Sequence, residues 1–366
     1  GKDISLIGAG SDVTVLDGEL AVSGLRFEYG TGGTSRLEGF TIQYCVGGNG
    51  AGIVVDGGAF ELVDCVLENN RALDVGASGG ALHALNGANV LVENCDFRSN
   101  VADQFGSGIY AENSETSLHV SDCMFALHSA SSGGGMYVTD SAICIVQDTE
   151  FSDNTVSFDG GGASVNDDGS SFLFCCFKDN IAGSFGGGLD NHSGADTEVE
   201  NCLFADNKAS FGGGGMHNLN SNPVVTNCTF AKNISYEENG GAMHNDGTSF
   251  PTIDGSLFCG NIGNSVDTST LEGHIFPTAA DTDYEFVGGN EFHALCSTCQ
   301  GDVNGDGVLD LTDLVAIAIM MTWGECDGCL EDVDGNGVVD PDDIIAFVEM
   351  LSARLDFPCA IECPYR

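Results

Sequence analysis

The sequence predicts an all-β fold, a parallel β-helix of about nine to ten coils, followed by a small C-terminal α-helical module. Three observations carry this. A Cys, aromatic, Asn motif recurs at a near-constant interval through most of the chain. Each residue type keeps its place from copy to copy. From residue 301 that pattern stops, and two Asp- and Gly-rich loops of equal length take over.

The clearest anchor is an aromatic or aliphatic residue with Asn or His three places later: Leu67/Asn70, Phe97/Asn100, Phe125/His128, Phe151/Asn154, Phe177/Asn180, Phe204/Asn207, Phe230/Asn233 and Phe258/Asn261. The spacings are 30, 28, 26, 26, 27, 26 and 28 residues. A second anchor is a Gly-rich strand start, as in Gly79-Gly80-Ala81-Leu82, Gly186-Gly187-Gly188-Leu189 and Gly213-Gly214-Gly215-Met216. Two residues before the aromatic stands Cys65, Cys95, Cys123, Cys175, Cys202 or Cys228, with Thr149 and Ser256 in the other two copies. Three residues before that position is always apolar, from Leu62 to Ile253.

The parities locate a bend. Cys and Phe, two apart, face one side of a strand. The apolar residue three before the Cys has the wrong parity for one straight strand, so the chain must turn between them. The residue just before the Cys position is usually Asp or Asn: Asp64, Asn94, Asp122, Asp148, Asn201 and Asn227. Asp and Asn tolerate the left-handed backbone that a tight bend needs. Each repeat therefore reads as strand, bend, strand, loop, Gly-start strand, loop.

Three short strands cannot form a core alone, but stacked repeats bury a continuous one. Coils bonded at a spacing of about 4.8 Å place like residues on top of each other. The Cys column is expected to be an interior ladder of small, unpaired thiols. The Asn column is expected to form an amide ladder at a turn. The helix is expected to occupy residues 1–262, and residues 263–300 an irregular last coil, cap and Cys-containing linker. The chain opens inside a strand pattern, Ile4-Ser5-Leu6-Ile7, so it reads as processed or incomplete at its N-terminus.

The paired Gly-Gly-Ala-(Leu/Met) and Phe-x-x-Asn motifs resemble the repeats of bacterial polymorphic outer-membrane proteins and related right-handed β-helix families. The resemblance covers roughly residues 40–262 and implies a right-handed coil. It implies no chemistry, because such repeats serve adhesins, passenger domains and enzymes alike.

Residues 301–366 form a second domain. Asp302-Val303-Asn304-Gly305-Asp306-Gly307-Val308-Leu309-Asp310-Leu311-Thr312-Asp313 has the spacing of a calcium loop, and the stretch from Asp332 to Asp343 repeats it. Side-chain oxygens at positions 1, 3, 5 and 12, a carbonyl at 7 and a ligand or water-holder at 9 surround one Ca²⁺, with Gly at 6 for the turn. The predicted ligands of two Ca²⁺ sites are Asp302, Asn304, Asp306, Val308, Asp310 and Asp313, then Asp332, Asp334, Asn336, Val338, Asp340 and Asp343. Each loop runs into an apolar helix, at 311–321 and 341–355.

Loop and helix twice, without the helix that precedes each loop in an EF-hand, resembles a type I dockerin over about residues 301–353. The resemblance is closest to the dockerins that end secreted proteins of planctomycete-type bacteria. It implies a cohesin-like partner selected at loop positions 10 and 11. Here those are Leu311-Thr312 and Pro341-Asp342, so the two halves differ, and the family's helical basic residues are missing. Cys296, Cys299, Cys326, Cys329, Cys359 and Cys363 flank the module. Paired Cys-x-x-Cys spacing fits zinc or disulfides. Oxidising, calcium-rich surroundings favour disulfides, with Cys259 joining Cys296 as one pairing.

Lys and Arg total 10 against 55 Asp and Glu, a formal charge of −45. That excludes nucleic acid and argues against anionic polymers and membranes. No apolar run is long enough to span a bilayer. Asp190, His217 and His244 fall at one place in successive coils, and a solvated outer ladder is expected there. Phe185 and Phe211 are expected to pack between loops rather than hold sugar. Polysaccharide lyases of this fold use a basic residue, but Arg26, Arg36, Arg71, Arg98, Lys178, Lys208 and Lys232 form no column.

The expected function is that of a non-catalytic, secreted structural or adhesive protein, extracellular or on a bacterial cell surface. Its expected partner is itself, head to tail in filaments, or a cohesin-like domain, with carbohydrate as a further ligand. The alternative is a carbohydrate-active β-helix enzyme or carbohydrate-binding adhesin held on a scaffold through its dockerin.

Overall fold

The computed structural model describes residues 3–28, 34–166, 169–237, 240–246 and 249–263. Beyond them it describes Asn290 and the backbones of Ile275–Pro277, Glu285–Val287 and Glu291–His293. The C-terminal module, its helices, its cysteines and all twelve predicted calcium ligands lie outside the described residues.

The chain winds as a parallel β-helix of about nine turns. One coil shows the pattern. Leu189–His192 and Glu198–Glu200 lie in a first sheet, Leu203–Ala205 in a second and Lys208–Ala209 in a third. Each strand pairs in parallel with its counterpart one coil away. The sheets hold 19, 11 and 9 strands. Nine strands in the smallest sheet agree with the coil count expected from the repeat.

Three corners close each coil. The expected bend before the Cys is there: Asp64, Asn94, Asp122, Asp148, Asn201 and Asn227 all have φ between 47 and 53° or at 55°. Tyr44, Phe174 and Gly255 adopt the same geometry in coils that lack Asp or Asn there. A second left-handed corner precedes the Asn column, at Asn69, Ser99, Leu127, Asp153, Asp179, Asp206 and Lys232. Its mixed residue types hid it from the sequence. So did the third sheet, whose two-residue strands are too short to show a period. The first glycine of each Gly run makes the third corner. At Gly213, φ is 64° and an added Cβ would stand 2.2 Å from the Met216 carbonyl oxygen.

The interior is built of ladders. Phe97, Phe125, Phe151, Phe177, Phe204, Phe230 and Phe258 are fully buried and stack with centroids 4.5–5.0 Å apart and planes within 13°. Near-parallel rings at that separation are offset, the favoured arrangement for aromatic quadrupoles.

The Asn amides spend both donors. Asn180 Nδ2 donates to Asn207 Oδ1 at 3.0 Å and to the Phe151 carbonyl at 2.8 Å. Its Oδ1 accepts from Asn154 Nδ2 at 2.9 Å and from the Asn154 N–H at 3.1 Å. His128 breaks the run. Its Nδ1 accepts the Asn100 N–H at 3.1 Å, but its Nε2 is buried without a partner.

The Cys column is the expected interior ladder of buried, free thiols, and its members are also hydrogen-bonded. Cys202 Sγ accepts the Cys175 N–H at 3.3 Å and donates to the Glu200 carbonyl at 3.3 Å. The bend leaves an N–H facing the next coil, and a short side chain with an acceptor meets it. Thr149 and Ser256 do the same for Cys123 and Cys228. That explains why those two types replace Cys.

Substitutions in the Asn column should have opposite signs. Asn180→Ala strands several buried groups and should cost about 3 kcal/mol or more. His128→Asn removes an unsatisfied donor, completes the ladder and should stabilise by about 1 kcal/mol. Denaturant melts of the two variants check this, and a destabilised His128→Asn would show that the ladder is not what the column supplies.

Candidate functional site

One outward column of the first sheet carries most of the polar chemistry. Register places His83, Tyr110, Tyr137, Ser164, Asp190, His217 and His244 one above another. The strand alternation points them away from the Phe-lined interior. The solvated ladder expected for Asp190, His217 and His244 is nonetheless wrong, for each is 2% exposed. The reason is the Gly corner, which folds over the start of the strand. Phe185, just before Gly186, stacks on His217 with centroids 4.5 Å apart and planes at 22°. An aromatic directly before a Gly run was the sequence signal for this cover.

Asp190 is held from two sides. Its Oδ2 accepts the Ser164 hydroxyl at 3.0 Å, and its Oδ1 lies 2.7 Å from His217 Nδ1. His217 Nε2 is buried and has no hydrogen-bond partner. His244 meets His217 edge-on at 5.5 Å. Burial, and then the neighbouring His217, push the His244 pKa down to about 3. Gly212 makes this packing possible, since a Cβ there would stand 1.7 Å from His244 Nδ1. Asp159, at the corner one coil before Phe185, accepts the Phe185 N–H at 3.0 Å. Burial and then the Asp190 carboxylate raise its pKa.

Beside the column, the interior changes character. Val138 and Val165 give way in register to Asn191, Asn218 and Asn245. Asn191 Nδ2 donates to Asn218 Oδ1 at 2.8 Å, and Asn218 Nδ2 to Asn245 Oδ1 at 2.7 Å. This second amide ladder was legible as Leu-Asp-Asn, Met-His-Asn and Met-His-Asn.

A carboxylate on Nδ1 and an open Nε2 are the parts of a general base. Here they are sealed under Phe185. His83 of the same column makes a second such pair, His83 Nε2 and Glu112 Oε1 at 2.9 Å, with Tyr110 Oη donating to Glu112 Oε2 at 3.2 Å. The hydrogen bond from His83 is the main cause holding the Glu112 carboxyl below its usual range. Asp190 with His217 is a buried pair within the column, and His83 with the half-buried Glu112 is a second pair beside it; both satisfy polar groups under the corners. Among the described residues no group of three His, Cys, Asp or Glu side chains could hold a metal ion.

The basic side chains form no column, as expected. Arg26 pairs with Glu28 and Asp56, and Arg36 with Glu38 and Glu61. Lys208 lies between Ile181 and Ile234 in register.

Residues 22–154 match the family model described as the right handed beta helix region. No curated protein and no solved structure matches the chain. The match over these residues and the nine-turn parallel stack together support a right-handed β-helix repeat architecture.

Asp190→Ala should lower stability by about 3 kcal/mol, the cost of leaving a buried partner uncompensated. An unchanged melt would remove the structural role. The buried histidines also set a pH dependence. Burial lowers the pKa of His128 to about 3, as it does for His244, against an ordinary value of 6.5. The unfolded chain therefore takes up protons between those values while the folded chain does not, and stability falls as pH drops below 6.5. Asp153, Asp159 and Asp206, whose carboxyls are raised mainly by burial, act in the opposite sense nearer the carboxylate range. Comparing His128→Asn with the unchanged chain cancels these shared contributions. The variant's advantage in melting temperature should grow steadily from pH 6.5 to pH 4, and a constant difference would contradict the buried neutral imidazole.

Proposed function

We propose that this is a secreted, non-catalytic structural or adhesive protein of a bacterial cell surface or extracellular matrix. The observation that carries the reading is the sealing of Asp190 and His217. Where an acid, an imidazole and a hydroxyl converge, Phe185 covers them, and their hydrogen bonds serve the stack. What remains for function is the surface and the ends.

In this reading the C-terminal loops hold two Ca²⁺ ions through the ligands from Asp302 to Asp313 and from Asp332 to Asp343. The dockerin-like module contacts a cohesin-like domain or another copy. The first coil supports self-assembly. Its strand Ser5–Ile7 pairs with Thr34–Glu38 on one side, and Ile7, Val13 and Val15 are exposed. Exposed apolar side chains of this kind are a surface on which another copy packs. A last coil seated on the first coil of the next copy is a heterologous contact, which propagates as a filament.

Electron microscopy of the purified chain in millimolar calcium should show filaments or short head-to-tail oligomers. Uniform monomers would refute assembly. Calorimetry with chelator should lower a C-terminal transition and leave the β-helix transition in place; identical scans would refute calcium binding.

A further inference from the structure

A strip of aromatic side chains runs along the outer Gly corner, parallel to the helix axis. The Ser184 N–H donates to the Phe158 carbonyl at 2.9 Å, and the Phe211 N–H donates to the Ser184 carbonyl at 2.9 Å. Phe158, Ser184 and Phe211 are therefore stacked one coil apart, which puts the two phenylalanines about 9.6 Å apart. Phe185 stands next to Ser184, its ring 5.6 Å from Phe211. One coil further, Tyr236 stands opposite Ser210, one position from Phe211, its N–H donating to the Ala209 carbonyl at 3.1 Å. Phe158, Phe211 and Tyr236 are 55%, 36% and 59% exposed. Two exposed rings in line, Phe158 and Phe211, thus stand two coils apart, with Tyr236 one position to the side and Phe185 turned in over His217.

Polar groups flank the strip. Asp159 follows Phe158 and is half-buried. Tyr137 Oη accepts from Asn166 Nδ2 at 2.7 Å and so keeps its own hydrogen to donate. Burial, and the negative charges of Asp190, Asp159 and Asp140, push the Tyr137 pKa up to about 12. The hydroxyl therefore stays protonated and able to donate.

We propose that this strip binds an extended, uncharged polysaccharide laid along the helix axis. Sugar rings offer C–H faces that stack on aromatic rings, and hydroxyls that pair with carboxylates and phenols at the edge. A polymer with a regular repeat suits exposed rings set two coil rises apart along the axis. The strip is one ring wide, narrower than the rounded core of a protein interface. The charge of −45 rejects acidic glycans. The proposal rests on the adhesive form of the function above and gives it a ligand class.

The test is a glycan array of neutral, amino and acidic oligosaccharides of graded length, probed with the full chain. The chain should retain neutral oligosaccharides, more tightly as length increases toward the span of four coils. The double variant Phe158→Ala/Phe211→Ala should bind at least tenfold more weakly with an unchanged melt. Phe250→Ala, an exposed phenylalanine outside the strip, should bind normally. Retention of no neutral glycan, or equal binding by the double variant, would overturn the proposal. So would reduced self-association by the double variant without glycan binding, which would make the strip a protein interface. Product analysis separates the two readings: cleavage of a bound glycan would refute the non-catalytic reading and leave the binding strip standing.

Discussion

Everything in the described structure depends on one constraint. Each coil must lie on the next at strand spacing and in register. That puts every side chain against its own counterpart one repeat away, so each position has to be a residue that packs on itself. Phenylalanine does so by offset stacking, asparagine by passing one amide hydrogen to the next carbonyl. Cysteine does so by accepting an N–H at a bend and returning its thiol hydrogen to a carbonyl. The backbone ladders set the spacing, and the side-chain ladders satisfy the polar groups that the corners would otherwise bury unpaired.

The exceptions are as informative as the rule. Thr149 and Ser256 can stand in the Cys column because an Oγ meets the same N–H. His128 can stand in the Asn column because Nδ1 imitates the amide oxygen, but its ring cannot imitate both amide hydrogens. Phe174 shows that corner geometry is imposed by the stack even on a residue with no preference for it. Glycine at 212 shows the reverse dependence, a corner residue dictated by the ring packed beneath it.

The same constraint shapes the functional reading. A residue pair that would look catalytic in a cleft, Asp190 with His217, is here one rung of a column under a folded-over corner. Its counterpart, His83 with Glu112, stands farther along, beside that column. What a stack of this kind offers to other molecules is repetition at its surface and unpaired edges at its ends. The aromatic residues along the Gly corner belong to the first category.

Much of this fold was legible in the sequence because stacking forces residue identity to repeat. The period, the Cys, Phe and Asn columns, and the bend at Asn201 follow from position and parity alone. The second corner was not legible, since left-handed geometry there falls on Leu127 and Lys232 as readily as on Asp179. Neither was the third sheet, because two residues carry no period. The fate of His217 was decided only in three dimensions. Alternation shows that it points out of the core, but whether outside means solvent depends on where the next corner travels. That path is set by glycine backbone angles and by Phe185, which no strand period records.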